Sequence, residues 1–251
     1  MIVYDGDETA QTWFSRFAQR LISALSAPTE EGELYEVDMQ LRPSGKAGPV
    51  AVRLARFGQY YFDEAWTWEL MALTRARVIA GDGGVNDDLI AAIDAALTRA
   101  RPRERVLADA REMRQRLEGA RPAQSEWDIK SRVGGLQDIE FIVQTLQLIA
   151  APDGQVIHHS TAAALASLAG SGEMAGEDAV FLSDTVHLYL GIAQLLRATH
   201  GTGFDPAGAS AGFTRSLVAM AGVEDLDALR AVLEARCEKV RALFEHYLRA
   251  V

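Results

Sequence analysis

Tyr35-Glu36-Val37-Asp38-Met39-Gln40-Leu41-Arg42-Pro43-Ser44-Gly45-Lys46-Ala47-Gly48-Pro49 is the stretch whose reading decides the fold. Tyr35, Val37, Met39 and Leu41 alternate with Glu36, Asp38, Gln40 and Arg42, so an extended strand over residues 34–42 would set its apolar side chains on one face and its polar ones on the other. Pro43, Gly45, Gly48 and Pro49 then force a loop in which backbone can approach a ligand closely, and Arg42 and Lys46 bring positive charge beside the Asp38 carboxylate. A carboxylate strand leading into a cationic glycine loop suits a metal-nucleotide ligand. A surface strand with its wet face outward, followed by an ordinary turn, carries the same pattern.

Two further segments bear on that choice. One is Ala65-Trp66-Thr67-Trp68-Glu69, followed by Ala72-Leu73, Arg75-Ala76-Arg77-Val78 and Gly81-Asp82. The other is Asp128-Ile129-Lys130, Gly134-Gly135 and Asp138-Ile139-Glu140-Phe141. Together with Glu36 to Arg42 and its Pro-Ser-Gly continuation, these resemble the motifs of the glutamine-synthetase adenylyltransferases, in that family's order, across roughly residues 1–150. Members of the family carry two related nucleotidyltransferase halves. One attaches AMP to a tyrosine of glutamine synthetase and the other removes it by phosphorolysis; the AWTWE wording is closer to the attaching half.

The resemblance implies ATP and Mg2+ as cofactors, and glutamine synthetase and a PII-type regulatory protein as partners. Asp38 is then the metal-holding, catalytic carboxylate, and Arg42, Ser44, Gly45, Lys46 and Arg75 meet the nucleotide. In such enzymes an Asp-x-Asp pair precedes a short apolar stretch ending in Tyr, and Ile2-Val3-Tyr4 looks like the tail of that stretch, so the pair is expected before Met1. Two-metal nucleotidyl transfer needs several carboxylates, and magnesium sites rest on few to begin with. The expectation is therefore that this chain does not adenylylate anything by itself. A noncatalytic interaction module that keeps the fold is the alternative.

Composition narrows the partners. A net charge of -10 argues against nonspecific nucleic-acid binding, which needs clustered cations. The single cysteine, Cys237, excludes an intramolecular disulfide, and the five histidines show no zinc spacing. No run approaches about 18 unbroken apolar residues, and the acidic start Asp5, Asp7, Glu8 is unlike a signal peptide, so a cytoplasmic location without membrane is expected.

The expected fold is mostly α with a small α/β part: a partial nucleotidyltransferase sheet over residues 1–84, then a helical bundle over 85–251. Asp7 to Thr9 can cap a helix carrying Trp13, Phe14, Phe17, Leu21 and Leu25 until Pro28 stops it, and that helix should cover one face of the sheet. A short strand near Val50 to Arg53 follows, then a helix from Asp63 to Ala80. On that helix Arg75 and Arg77 would stand about 200° apart and not face one phosphate, Glu69 would join a surface charge cluster with Arg77, and Trp66 or Trp68 would enter the core. Further helices are read at 86–100, 103–117, 136–149, 160–168, 177–199 and 225–248, with 201–208 as a loop. Asp138 caps a helix N-terminus or, with Lys130 or Glu140, lines a cleft. A truncated sheet presents an open edge, from which self-association would follow.

Overall fold

The computed structural model describes residues 1–30, 32–33, 37–39, 41–200 and 204–249. They fall into two compact units, Met1–Arg99 and Ala100–Val251.

In the first unit, β1 (Ile2–Tyr4) leads through a 3-10 turn into α1 (Gln11–Leu25). Asp7 builds that turn: its Oδ1 accepts the N–H groups of Thr9 and Ala10 at 2.9 and 3.2 Å and the Thr9 hydroxyl at 2.6 Å. These bonds hold the Asp7 carboxyl below its ordinary pKa, the Thr9 hydroxyl contributing most. A minimal antiparallel pair, β2 (Pro28–Thr29) and β3 (Gly32–Glu33), follows. Next comes β4 (Ala51–Arg53), which pairs in parallel with β1, Val3 opposite Val52.

α1 packs on this sheet as expected. Tyr4 stacks on Phe14 at 4.2 Å and closes a small core with Ala18 and Ala51. Gln11 fixes the distance between helix and sheet by accepting the Tyr4 hydroxyl at 2.6 Å and donating to the Ala51 carbonyl at 3.1 Å.

The strand expected over 34–42 is not found where it can be seen. Val37, Asp38 and Met39 have no regular structure, while residues 34–36 and 40 lie outside the described residues. Alternation makes a strand only where a neighbouring ladder supplies backbone partners, and among the described residues β1 pairs with β4 instead.

The helix expected over 63–80 is also corrected. α2 (Leu54–Gln59) runs into a π turn (Tyr60–Glu64), and α3 begins afresh at Thr67 and ends at Leu73. Trp66 is extended at the start of α3, and at its end the Thr74 hydroxyl bonds the Met71 carbonyl at 2.6 Å, competing with the helix ladder. α4 (Gly83–Thr98), capped by Asp82 through the Gly84 N–H, packs on α2 and α3. That packing puts the end of the unit at Arg99, fifteen residues beyond the expected 84.

The second unit is a helical bundle: α5 (Arg103–Ala120), α6 (Leu136–Ala150), α7 (Thr161–Ser171), α8 (Gly176–His200), α9 (Ala211–Ala221) and α10 (Leu226–Tyr247). Its core runs along α6 (Ile139, Ile142, Leu146), α8 (Leu182, Tyr189, Ile192) and α10 (Leu229, Leu233, Val240, Phe244). The helix α9 was not foreseen, although Ser210 caps it by accepting the Phe213 N–H at 3.2 Å and Gly222 ends it in the left-handed conformation. α8 is long and apolar enough, at mean hydropathy 1.4, to cross a membrane by length and composition. It packs against α6, α7, α9 and α10 and carries Asp184, His187 and Arg197, as a bundle helix does. The mostly helical fold with a small α/β part is the architecture observed.

Candidate functional site

Arg42 shapes the loop that follows it. Its Nε donates to the Gly48 carbonyl at 3.1 Å and its Nη1 to the Met39 carbonyl, while the Gly45 N–H returns to the Arg42 carbonyl at 2.8 Å. The ring is so tight that a Cβ at Gly48 would overlap the Pro43 carbonyl oxygen, which only glycine permits. Ser44 takes φ 64, the one positive value at a non-glycine residue among those described. Such a conformation costs on the order of 1 kcal/mol and is kept where surroundings impose it.

Those surroundings are the second motif. The Ser44 backbone lies near enough to the Tyr60 hydroxyl to pull its pKa down, and that hydroxyl donates to both carboxylate oxygens of Glu69 at 3.0 Å. Glu69 Oε2 also accepts the Trp66 N–H at 2.9 Å, capping α3. Burial first, and then the Glu69 carboxylate, raise the Tyr60 pKa. Glu69 is only 4% exposed, so the surface cluster expected with Arg77 does not form. Its carboxylate joins the glycine loop to the AWTWE segment. Trp66 is 70% exposed and Trp68 36%, so neither tryptophan enters the core.

The remaining expected site residues divide. Asp38 is exposed, beside the loop in sequence, and Ser44 is exposed at its tip; Gly45 opens the 3-10 turn that includes Lys46, whose side chain lies outside the described part. Arg75 lies in a turn after α3 and Arg77 in irregular chain, both exposed, so the helix-angle argument that separated them does not apply. Among the described residues no three His, Cys, Asp or Glu side chains stand close enough to hold a metal ion. Asp38 alone fits one ligand of a hydrated magnesium ion and not a two-ion set.

The third motif is built into the bundle. Asp138, fully buried, accepts Arg114 Nε at 2.5 Å and the Gly134 N–H at 2.8 Å, with Arg241 Nη1 at 3.5 Å. Gly134, at φ 75, presses on α10 so closely that a Cβ would overlap the Cys237 carbonyl oxygen, and the Tyr189 hydroxyl bonds the Gly134 carbonyl at 3.3 Å. Burial raises the pKa of the Cys237 thiol. Asp138 stands in the first turn of α6, but its bonds go to Arg114 on α5 and to the Gly134 N–H, and it makes no side-chain bond at the helix N-cap. Lys130 is exposed and Glu140 half-buried.

Sequence reasoning missed Tyr60 and Arg114. The doublet Tyr60-Tyr61 ahead of AWTWE was a usable signal, but Arg114 was hidden in the charged run Arg111 to Glu118, which reads as a solvated face.

Comparison with known proteins extends the resemblance past residue 150. Residues 4–92 match the family model described as glutamate-ammonia ligase adenylyltransferase, and residues 104–248 match that described as GlnD PII-uridylyltransferase. The bifunctional glutamine synthetase adenylyltransferase/adenylyl-removing enzyme of Agrobacterium fabrum is 41% identical over 97% of this chain and 26% of its own length. The enzymes of the same name from Rhodopseudomonas palustris (strain BisB5) and Caulobacter vibrioides are 40% and 43% identical over 97% and 95% of this chain. The chain spans about a quarter of the length of these relatives. Matched over more than half of its length by the GlnD PII-uridylyltransferase model, the chain belongs to that family of domains, and nearly its whole length is similar to the glutamine synthetase adenylyltransferases.

Proposed function

We propose that these residues form part of an ATP-dependent adenylyltransferase that transfers AMP to a tyrosine of glutamine synthetase in the bacterial cytoplasm. The observation that carries the reading is the Tyr60–Glu69 connection beside the glycine loop, where Ser44 is strained and exposed next to the AWTWE segment. Ser44, Gly45, Lys46 and Arg75 meet the nucleotide, and Asp38 supplies one carboxylate to its magnesium. Arg42 positions the loop, since two of its donors are spent on loop carbonyls. Magnesium, when bound, neutralises the triphosphate and activates the attacking hydroxyl. The bundle, matching a PII-uridylyltransferase model, would meet glutamine synthetase or a PII-type protein.

In this reading the 251 residues by themselves do not catalyse the transfer, since Asp38 offers one carboxylate where two-metal chemistry uses several. The test is incorporation of labelled AMP from ATP into glutamine synthetase. Turnover above background by the purified chain overturns the inactivity. Absence of ATP–Mg2+ binding by calorimetric titration overturns the nucleotide site and leaves the interaction module.

A further inference from the structure

The bundle holds an open cavity of about 430 Å³ where α8, α9 and α10 meet, a size typical of small-molecule sites. Asp184, Leu188 and Gly191 line it from one face of α8, with His187 beside them. Asp184 and Gly191 stand about 10 Å apart along that helix, and the two ends of the cavity differ in chemistry. At the Asp184 end, Arg236 of α10 is fixed: its Nη1 donates to the hydroxyl of fully buried Thr185 at 2.6 Å, and its guanidinium lies over the Phe181 ring. Among the described residues, the rest of that guanidinium, the Asp184 carboxylate and the His187 ring have no hydrogen-bond or ion-pair partner. At the Gly191 end the wall is Met220 of α9, and Val232 of α10 lies one turn before Arg236. Glycine weakens a helix interior, and at position 191 its missing side chain leaves the space in front of the Met220 sulfur open.

We propose that this cavity binds a free α-amino acid with an aliphatic side chain, its carboxylate on Arg236, its ammonium on Asp184 and its side chain against Leu188, Val232 and Met220. The site lies in the second unit and is independent of the nucleotide reading above. The charges select the class. An anion alone would meet the Asp184 carboxylate, and an apolar molecule would cover the free Arg236 donors without giving them an acceptor. A zwitterion with an apolar body answers both: the guanidinium fork matches a carboxylate, and the ammonium pairs with the opposite wall. At the far end Leu188, Gly191, Met220 and Val232 offer no side-chain N–H or O–H, so a polar side chain on the ligand would lose its water without replacement.

Calorimetric titration of the 251-residue chain with L-leucine is the test. Leucine should bind. Affinity should fall about tenfold or more for L-leucinamide, which lacks the carboxylate, for isocaproate, which lacks the ammonium, and for L-asparagine, a polar side chain of similar size. Asp184→Asn, at an exposed position without a partner, should weaken leucine by a similar factor and leave the Tm of the free chain unmoved. Gly191→Val fills the apolar end: a Cβ there meets Met220 alone, its sulfur at 3.5 Å, so the fold should hold while leucine binding is lost. No binding at millimolar leucine overturns the proposal. So does equal affinity for the amide, the acid or asparagine, and so does leucine binding that is unchanged in either variant. Titration with ATP and magnesium reads the first unit separately, and its outcome leaves this result untouched.

Discussion

Asp138→Asn should lower the melting temperature of residues 100–251 and leave the first unit unmoved. Arg114 and Asp138 side chains are 1% and 0% exposed, so neutralising the carboxylate strands a guanidinium away from water. Removing one partner of a buried pair costs about 3–5 kcal/mol. The lower end applies here, because Arg114 Nη1 keeps Glu118 at 3.4 Å and the Asn oxygen can still accept the Gly134 N–H. At about 2–4 °C per kcal/mol for a unit of this size, about 3 kcal/mol becomes a fall of about 6–12 °C. Scanning calorimetry that resolves the two units reads it, and a parallel titration with ATP and magnesium should be unchanged. The double change Arg114→Met with Asp138→Leu removes both charges, leaving chiefly the unpaired Gly134 N–H, so it should cost about 1–3 kcal/mol and not the sum of two single losses. A shift below about 2 °C for Asp138→Asn, or strict additivity in the double variant, refutes the argument that a buried ion pair clamps α5 to α6.

Glu69→Ala removes the α3 cap and the acceptor of the Tyr60 hydroxyl, a loss of about 2–4 kcal/mol in the first unit by chemical denaturation, with ATP affinity falling as the Ser44 loop loses its support. Gly134→Ala meets both a left-handed backbone and the Cys237 carbonyl, and about 2–4 kcal/mol of destabilisation of the bundle is expected in thermal melts. The Tyr247 hydroxyl donates to Asp178 at 2.7 Å, and burial, followed by that carboxylate, pushes its pKa up to about 12. The unfolded side chain ionises near 10 and the folded one near 12, so its contribution is whole below about pH 10 and lost as the pH rises through about 12. Tyr247→Phe should cost about 1 kcal/mol at neutral pH and flatten that alkaline decline in pH-dependent denaturation.

Apart from α9, the helices of the bundle were legible in the sequence because their signals are local. Pro102 marks the start of α5, Asp225 caps α10 by accepting the Ala228 N–H at 2.8 Å, and the stripe Leu229, Leu233, Val240 and Phe244 repeats at helical spacing. The glycine loop was legible for the same reason: Gly48 and the Pro-Ser-Gly run mean a tight turn wherever they occur.

What tertiary structure decided is whatever needs a distant partner. Alternation over residues 34–42 could not make Val37 to Met39 a strand, because a ladder is completed by another segment, and β1 pairs with β4. The helix expected to carry Arg75 and Arg77 ends at Leu73, and both arginines stand beyond it in a turn and irregular chain. No local pattern separates Arg114 from its charged neighbours; it is distinguished by Asp138, twenty-four positions away, in a place without water. Sequence sets the propensities of single elements, while the worth of a charge or an unpaired strand depends on what the fold brings against it.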